Sequence, residues 1–367
     1  MKPKVSIIVP IYNGEFFLKR AIKQIKDQIF VDFECICVDD ASTDKTREVF
    51  NEVAKDDKRF KLVKLNKNGG SSKARNEGLK RAVGEYISFL DVDDDYSKVL
   101  IFELYEKAKL LKSDIVVCNF SEFKINKGVI FENVLNNSIF PKKQNFKFSE
   151  ISKNPKFHLE SMSNVVWNKL YKREFLEVNN LEFSLDLKRA EDIEFNLRAL
   201  VLAGTISYIP KSLYTYNTGF MNSNVSTLDK YPFDIFNAMT MLRKFFIKNN
   251  IESEYHELLI KMYCDHIIGF MSFYMPETQR KICSNGRRIF KDLGINEIPI
   301  KNHDILLAIY NNDFDRYLIE EKNKNSGNEI IIDYLKMKKS LDNPSINFIL
   351  KLILKYLNNT YLKLFKK

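Results

Sequence analysis

The chain has 367 residues, 45% of them hydrophobic, which is enough for two or three domains with cores of their own. A formal net charge of +10 directs attention to anionic partners: nucleotides, nucleic acid or anionic lipid. Five cysteines, an odd number with no C-x-x-C pair, leave no disulfide framework and fit a reducing compartment.

The apolar run before Pro10 is too short for the h-region of a signal peptide. No stretch of about 18 uninterrupted apolar residues appears anywhere. A cytoplasmic protein without a transmembrane helix is therefore expected. Strands are expected over Val5–Val9, Phe33–Val38, Phe60–Leu65, Glu85–Leu90 and Asp114–Asn119. Helices are expected over Glu15–Gln28, Ser42–Ala54, Ser71–Val83 and Lys98–Leu111, with Ser42 or Thr43 as an N-cap and Gly84 as a C-cap. This alternation over the first 120 residues argues for a parallel α/β sheet. Cys35, Cys37 and Cys118 fall inside strands and read as small buried residues. Residues 121–225 are less regular and richer in Asn, Lys and Phe; they are expected to form a partner half that closes over a crevice. Residues 226–367 are expected to be helical, as in Asp234–Asn249 and Glu254–Phe273, with a loop near residues 323–328.

The most informative stretch is Ser88-Phe89-Leu90-Asp91-Val92-Asp93-Asp94-Asp95, a short apolar strand running into four carboxylates. Such a cluster repels itself and resists burial. A hard divalent cation shared with substrate phosphates would remove that cost, whereas a solvated loop would only dilute it. Two further polar clusters follow other strands: Pro10-Ile11-Tyr12-Asn13 and Asp39-Asp40-Ala41-Ser42-Thr43-Asp44. Ligands of open α/β sheets bind outside the carboxyl ends of the strands, so three such clusters on one edge favour a ligand site. The glycine fingerprint of dinucleotide-binding domains and the Walker-type phosphate loop are both missing; Gly69-Gly70-Ser71-Ser72-Lys73 has the wrong spacing.

Six ordered motifs together resemble the family-2 glycosyltransferases of GT-A fold. They are Val9-Pro10-Ile11-Tyr12-Asn13, Val38-Asp39-Asp40-Ala41-Ser42-Thr43-Asp44, Asn68-Gly69-Gly70-Ser71-Ser72-Lys73-Ala74-Arg75-Asn76, Gly84-Glu85-Tyr86-Ile87-Ser88-Phe89-Leu90-Asp91-Val92-Asp93-Asp94, Trp167-Asn168-Lys169-Leu170-Tyr171 and Glu191-Asp192-Ile193-Glu194-Phe195. The match covers roughly the first 225 residues. Ala41 stands where the family usually has glycine, and Ser71 replaces a usual apolar residue.

The resemblance implies a Rossmann-like, mostly parallel sheet flanked by helices, followed by a helical C-terminal region. Residues 1–120 would form the nucleotide-sugar half and residues 121–225 the acceptor half. It implies a nucleotide-diphosphate sugar donor, most often a UDP-sugar. Carried onto this sequence, Pro10, Tyr12 and Asn13 line the nucleoside pocket, and Asp40 accepts from the uracil imide. Arg75 reaches the base or phosphates. Asp91 and Asp93 form the D-x-D pair of an Mn²⁺ or Mg²⁺ site, with Asp93 binding the metal and Asp91 facing the ribose or a metal-bound water; Asp94 is a candidate third member and Asp95 lies outside. Asp192 is the base that takes the acceptor proton in a single, inverting displacement. Plainer readings stand beside these. Asp40 could cap a helix, Arg75 could be a solvated helix charge, and Asp192 could stabilise a helix dipole.

Trp167, the only tryptophan, reads either as a sugar platform or as core. Lys169 and Arg173 read as phosphate contacts or surface charges, and Tyr214, Tyr216 and residues 222–226 as acceptor-loop candidates. The four histidines are scattered and read as structural. No acidic residue follows Asp342, and residues 346–367 mix lysines with apolar side chains. That tail reads as a helix lying in an anionic membrane interface or docked on the core. The expected activity is a metal-dependent transfer of a hexosyl or N-acetylhexosaminyl group to a glycan or lipid-linked glycan, in capsule or lipooligosaccharide synthesis, with no nucleic-acid partner. A nucleotidyltransferase and a non-catalytic nucleotide- or glycan-binding module are the alternatives.

Overall fold

The computed structural model describes residues 2–124, 145–147, 164–218, 229–271, 274–294 and 304–324. The run 222–226, the tail 346–367 and the histidines at 158 and 303 lie outside them. The chain divides into two compact units, one up to His266 and one from Ile267 onward.

The first unit is built on one nine-stranded sheet. Its strands are β1 (Val5–Ile11), β2 (Phe33–Asp39), β3 (Phe60–Lys64), β4 (Tyr86–Phe89), β5 (Asp95–Tyr96), β6 (Ile115–Lys124), β7 (Asn145–Lys147), β8 (Lys169–Lys172) and β9 (Thr205–Thr218). Their order is β3-β2-β1-β4-β8-β6-β9-β5, with β7 also on β9. The long ladders are parallel: β1 with β2 and β4, β2 with β3, and β6 with β9. The antiparallel ladders at β8, β5 and β7 are short. This is the mostly parallel, helix-flanked sheet expected from the sequence.

Helices cover both faces, which is why the strands read as continuous apolar runs rather than alternating ones. On one face Val5, Ile7, Val9, Cys35 and Cys37 pack with α1 (Glu15–Lys26), α2 (Thr46–Ala54) and α4 (Leu100–Leu111). On the other, Ile8, Ile36, Val38, Ile87 and Phe89 pack with α3 (Ser71–Leu79), α5 (Arg173–Val178) and α6 (Glu191–Leu202). The helices α7 (Asp234–Lys248) and α8 (Glu252–Phe270) follow. In the second unit, α9 (Pro276–Ser284), α10 (Gly286–Asp292), α11 (Asp304–Tyr310) and α12 (Phe314–Lys324) close on one another. Arg280 lies 4.5 Å over the Phe314 ring, and Phe290 meets Tyr310 edge-on at 5.7 Å.

Three local expectations are corrected. Helix α2 begins at Thr46 rather than Ser42, because the Ser42 and Thr43 polar groups bond to Asn13 instead of capping it. Helix α3 stops at Leu79, so Gly84 is not its cap. Gly84 lies where a Cβ would come within 2.5 Å of the Ser6 nitrogen, at the point where the chain turns into β4. Asn323 and Lys324 belong to α12 rather than to a loop.

Ala41 adopts φ +60° directly after the second strand. An L side chain in that region costs roughly 1 kcal/mol, most of which glycine avoids. Ala41→Gly should therefore stabilise the protein by about 0.5 kcal/mol and raise the thermal midpoint by roughly 1–2 °C, read by calorimetry.

Candidate functional site

The loops after β1 and β2 are sewn together before any ligand is considered. The Asn13 amide donates to Ser42 Oγ at 2.9 Å, and Asn13 Oδ1 accepts from the Thr43 amide at 2.9 Å. Gly14 N donates to Thr46 Oγ1 and Glu15 N to Asp44 Oδ2, which supplies α1 with the cap its own sequence lacks. In return the Lys45 amide, at the start of α2, donates to Glu15 Oε2 at 2.7 Å. Asn13 pays for its place with φ +50°. Pro10 is half-buried on the last turn of β1, and Tyr12 projects into solvent with 52% of its surface exposed.

Asp40 is buried beside this seam. Its two carboxylate oxygens accept the amides of Gly69 and Gly70 at 2.8 and 2.7 Å. It holds the loop that leads into α3 and does not cap α2. Burial pushes its carboxyl above the usual range, against the two amides that favour the charged form.

Arg75, on α3, joins the two halves of the sheet. Its guanidinium is 5% exposed. One nitrogen lies 2.9 Å from Asp91 Oδ1 at the end of β4; another lies 3.3 Å from Glu191 Oε1 at the start of α6. Ser71 Oγ also donates to Glu191, and the guanidinium sits 5.3 Å over the Phe183 ring. Burial works against the charge on Arg75, but Asp91, Glu191 and Asp192 outweigh it and raise its pKa further. Among the described residues nothing accepts from its buried Nε. The next residue, Asn76, exchanges two 2.8 Å hydrogen bonds with the Phe183 backbone.

The four carboxylates of the acidic turn have separate fates. Asp94 points into the core, where it accepts from Tyr214 OH at 2.5 Å and the Asn217 amide at 2.8 Å. Asp95 is occupied by Gln24, Asn217 and Arg20. Tyr96 OH donates to the Asp91 carbonyl at 2.5 Å, and Arg20 to the Asp93 carbonyl at 2.6 Å, so the turn is fixed from both sides. Asp91 and Asp93 are left half-buried at the crevice. Burial, then the nearby Asp91 charge, pushes the Asp93 carboxyl up to about 6.

Among the described residues no three His, Cys, Asp or Glu side chains converge to hold a metal ion unaided. Asp91 and Asp93 supply hard oxygens, and the raised Asp93 is a carboxylate short of positive charge. They fit a cation such as Mg²⁺ or Mn²⁺ that takes one or two protein ligands and completes its shell with phosphate and water.

Asp192 follows Glu191 in the first turn of α6, where its Oδ1 accepts the Ile193 amide at 2.9 Å. Burial, then the adjacent Glu191 charge, pushes its carboxyl up to about 7. A carboxylate so raised suits proton abstraction near neutral pH.

Other candidates lie elsewhere. Trp167 is buried, 4% exposed, and stacks on Tyr214 at 4.2 Å and on Tyr216 at 5.6 Å. Both tyrosines belong to β9 rather than to a loop. Lys169 is buried, with Nζ donating to the Val165 carbonyl and Asn168 Oδ1; burial brings its pKa down to about 7. Arg173 binds the Gly84 carbonyl and Glu177. Sequence reading had not foreseen the pairing of Glu191 with Arg75, the Asn76 clamp, or the hold of Tyr214 and Asn217 on the acidic turn. Each partner lies more than 100 residues away along the chain.

A mostly parallel sheet with polar clusters at its strand ends, continued by mixed strands and a carboxylate-led helix, is the architecture of the GT-A class. The fold is shared with the crystal structure of S. aureus TarS in complex with UDP-GlcNAc, at a TM-score of 0.69 and 23% identity over 88% of this chain and 92% of that one. The family model described as glycosyl transferase family 2 matches residues 6–178. EpsH of Bacillus subtilis strain 168 is 30% identical over 300 residues, covering 79% of this chain and 81% of its own. The uncharacterised glycosyltransferase EpsJ of the same organism is 35% identical over 234 residues, 64% of this chain and 65% of its own, so this chain spans just under two thirds of that relative. The chain belongs to glycosyl transferase family 2.

Arg75→Met would leave Asp91 and Glu191 without their shared cation. Removing one partner of a buried ionic cluster costs about 3 kcal/mol or more. Urea denaturation should show that loss as a lower midpoint at unchanged slope.

Proposed function

We propose that the protein transfers a hexosyl or N-acetylhexosaminyl group from a nucleotide-diphosphate sugar, a UDP-sugar, to a hydroxyl of a glycan or lipid-linked glycan. The setting is the assembly of a bacterial surface polysaccharide. The observation that carries this reading is Arg75, which ties Asp91 and the Glu191–Asp192 turn to one crevice. Family membership supports it. So does the likeness to TarS, whose structure is in complex with UDP-GlcNAc and which is described as a poly(ribitol-phosphate) β-N-acetylglucosaminyltransferase.

In this reading Tyr12 covers one face of the base. Pro10 and Asn13 form the neighbouring wall. Asp40 meets the imide with the lone pairs its glycine amides leave free, and Arg75 Nε donates to a ribose or phosphate oxygen. Asp91 and Asp93 would hold a divalent cation, which supplies charge neutralisation on the departing diphosphate. Asp192 takes the proton of the acceptor hydroxyl. That oxygen bonds to the anomeric carbon while the bond from this carbon to the diphosphate oxygen breaks. One displacement inverts the anomeric configuration, and the nucleoside diphosphate leaves. Among the described residues no helix is long and apolar enough to cross a membrane.

A donor screen read by nucleoside diphosphate release, with Mn²⁺ or Mg²⁺ and then with chelator, tests the reading. Transfer should require a UDP-sugar, and chelator should abolish it; undiminished transfer in chelator would remove the metal from the scheme. Asp192→Asn and Asp93→Ala should each lower kcat by about 100-fold or more. Full turnover in Asp192→Asn would exclude it as the base. Asp192 acts as a base only without its proton. Its raised pKa means the proton is retained below about 7. At saturating metal, log kcat/KM should therefore fall as pH drops through about 7, well above the usual carboxylate value of about 4.

A further inference from the structure

The segment from Ser184 to Ala190 connects the Asn76-clamped Phe183 to α6, and it has no helix or strand of its own. Its path is nevertheless fixed at its far end by one side chain. Asp234, the first residue of α7 and 9% exposed, accepts the amides of Lys188 at 2.7 Å and Arg189 at 3.0 Å through a single oxygen. Hydrogen bonds to an ionised carboxylate are about twice as strong as neutral ones. The next residue, Ala190, sits at φ +60°, a conformation an alanine keeps only when its surroundings impose it. Glu191 and Asp192 follow at once. Lys188 also reaches back with Nζ to the Gly69 carbonyl, 3.0 Å away, on the loop held by Asp40.

We propose that Asp234 is a positioning residue for Asp192. By holding the Lys188 and Arg189 peptides it enforces the left-handed turn at Ala190, and that turn sets the direction of the first residues of α6. Without the carboxylate, Ala190 relaxes towards the right-handed region and the first turn of α6 rotates with it. Asp192 is displaced together with Glu191, while Pro10, Tyr12 and Asp40, held by partners outside α6, keep their places. The inference rests on the reading of Asp192 as the acceptor base.

The test compares Asp234→Ala and Asp234→Asn with the wild-type full chain, measuring nucleoside diphosphate release and calorimetric binding of UDP. Displacement of a reacting group by about 1 Å costs up to roughly 100-fold, so Asp234→Ala should lose about 10- to 100-fold in kcat. Donor KM and the Kd for UDP should stay within about twofold. The amide oxygen of Asn can accept the same two bonds, so Asp234→Asn should recover to within about threefold of wild type. Wild-type kcat in Asp234→Ala, or equal loss in the Asn variant, would overturn the inference. If Asp234→Ala does not fold, Asp234→Ser replaces it under the same criteria. Asp192→Asn separates the two levels. Its full activity would sink the base assignment itself, whereas an inactive Asp192→Asn beside a fully active Asp234→Ala would sink only the role of Asp234.

Discussion

Arg75 is the constraint on which the rest of the crevice depends. Removing a guanidinium from water costs several kcal/mol. Carboxylates at 2.9 and 3.3 Å return an attraction on the order of 4 kcal/mol each at the effective dielectric of a protein. The balance is close to even, so the cluster contributes little net stability while fixing a geometry. Asp91 follows β4, and Glu191 opens α6 a hundred residues further on. A single planar cation lets both approach, and it keeps their charges from forcing the halves apart.

The edges of the sheet carry this arrangement outward. The β1 and β2 loops cap each other's helices, so neither helix start is satisfied alone. On the other side, Tyr96 of β5 and Tyr214 and Asn217 of β9 hold the acidic turn. The crevice is thus framed by loops whose polar groups are already paired with one another. The polar side chains that this pairing leaves partly exposed include Tyr12, Asp91, Asp93 and Asp192.

The strands were legible in the sequence because burial on both faces leaves unbroken runs such as Val5–Val9 and Phe33–Val38. The polar clusters were legible because they stand directly at the ends of those runs. Helix ends were less so. Ser42 and Thr43 have the chemistry of caps, yet it is used on Asn13, a partner about thirty residues back. The apolar pattern persists past Leu79 to Val83, and only the approach of Gly84 to Ser6 explains why the helix has ended. Trp167 could have been platform or core from composition alone; its stacking on Tyr214 and Tyr216 depends on a strand nearly fifty residues further on. Glu191 carried no local sign that its partner would be Arg75, because opposite charges on distant elements leave no periodic trace.

The Asp40 clamp has one more consequence. Two glycine amides leading into a helix amino terminus are a natural seat for phosphate. Here that seat is filled by a carboxylate belonging to the protein itself. Asp40 acts as a tethered internal anion, present at an effective concentration that free phosphate in solution does not match. Those two amides are thereby closed to stray phosphates. In the proposed scheme the diphosphate then lies towards Asp91 and Asp93, and this one side chain would give the donor its direction before any sugar arrives.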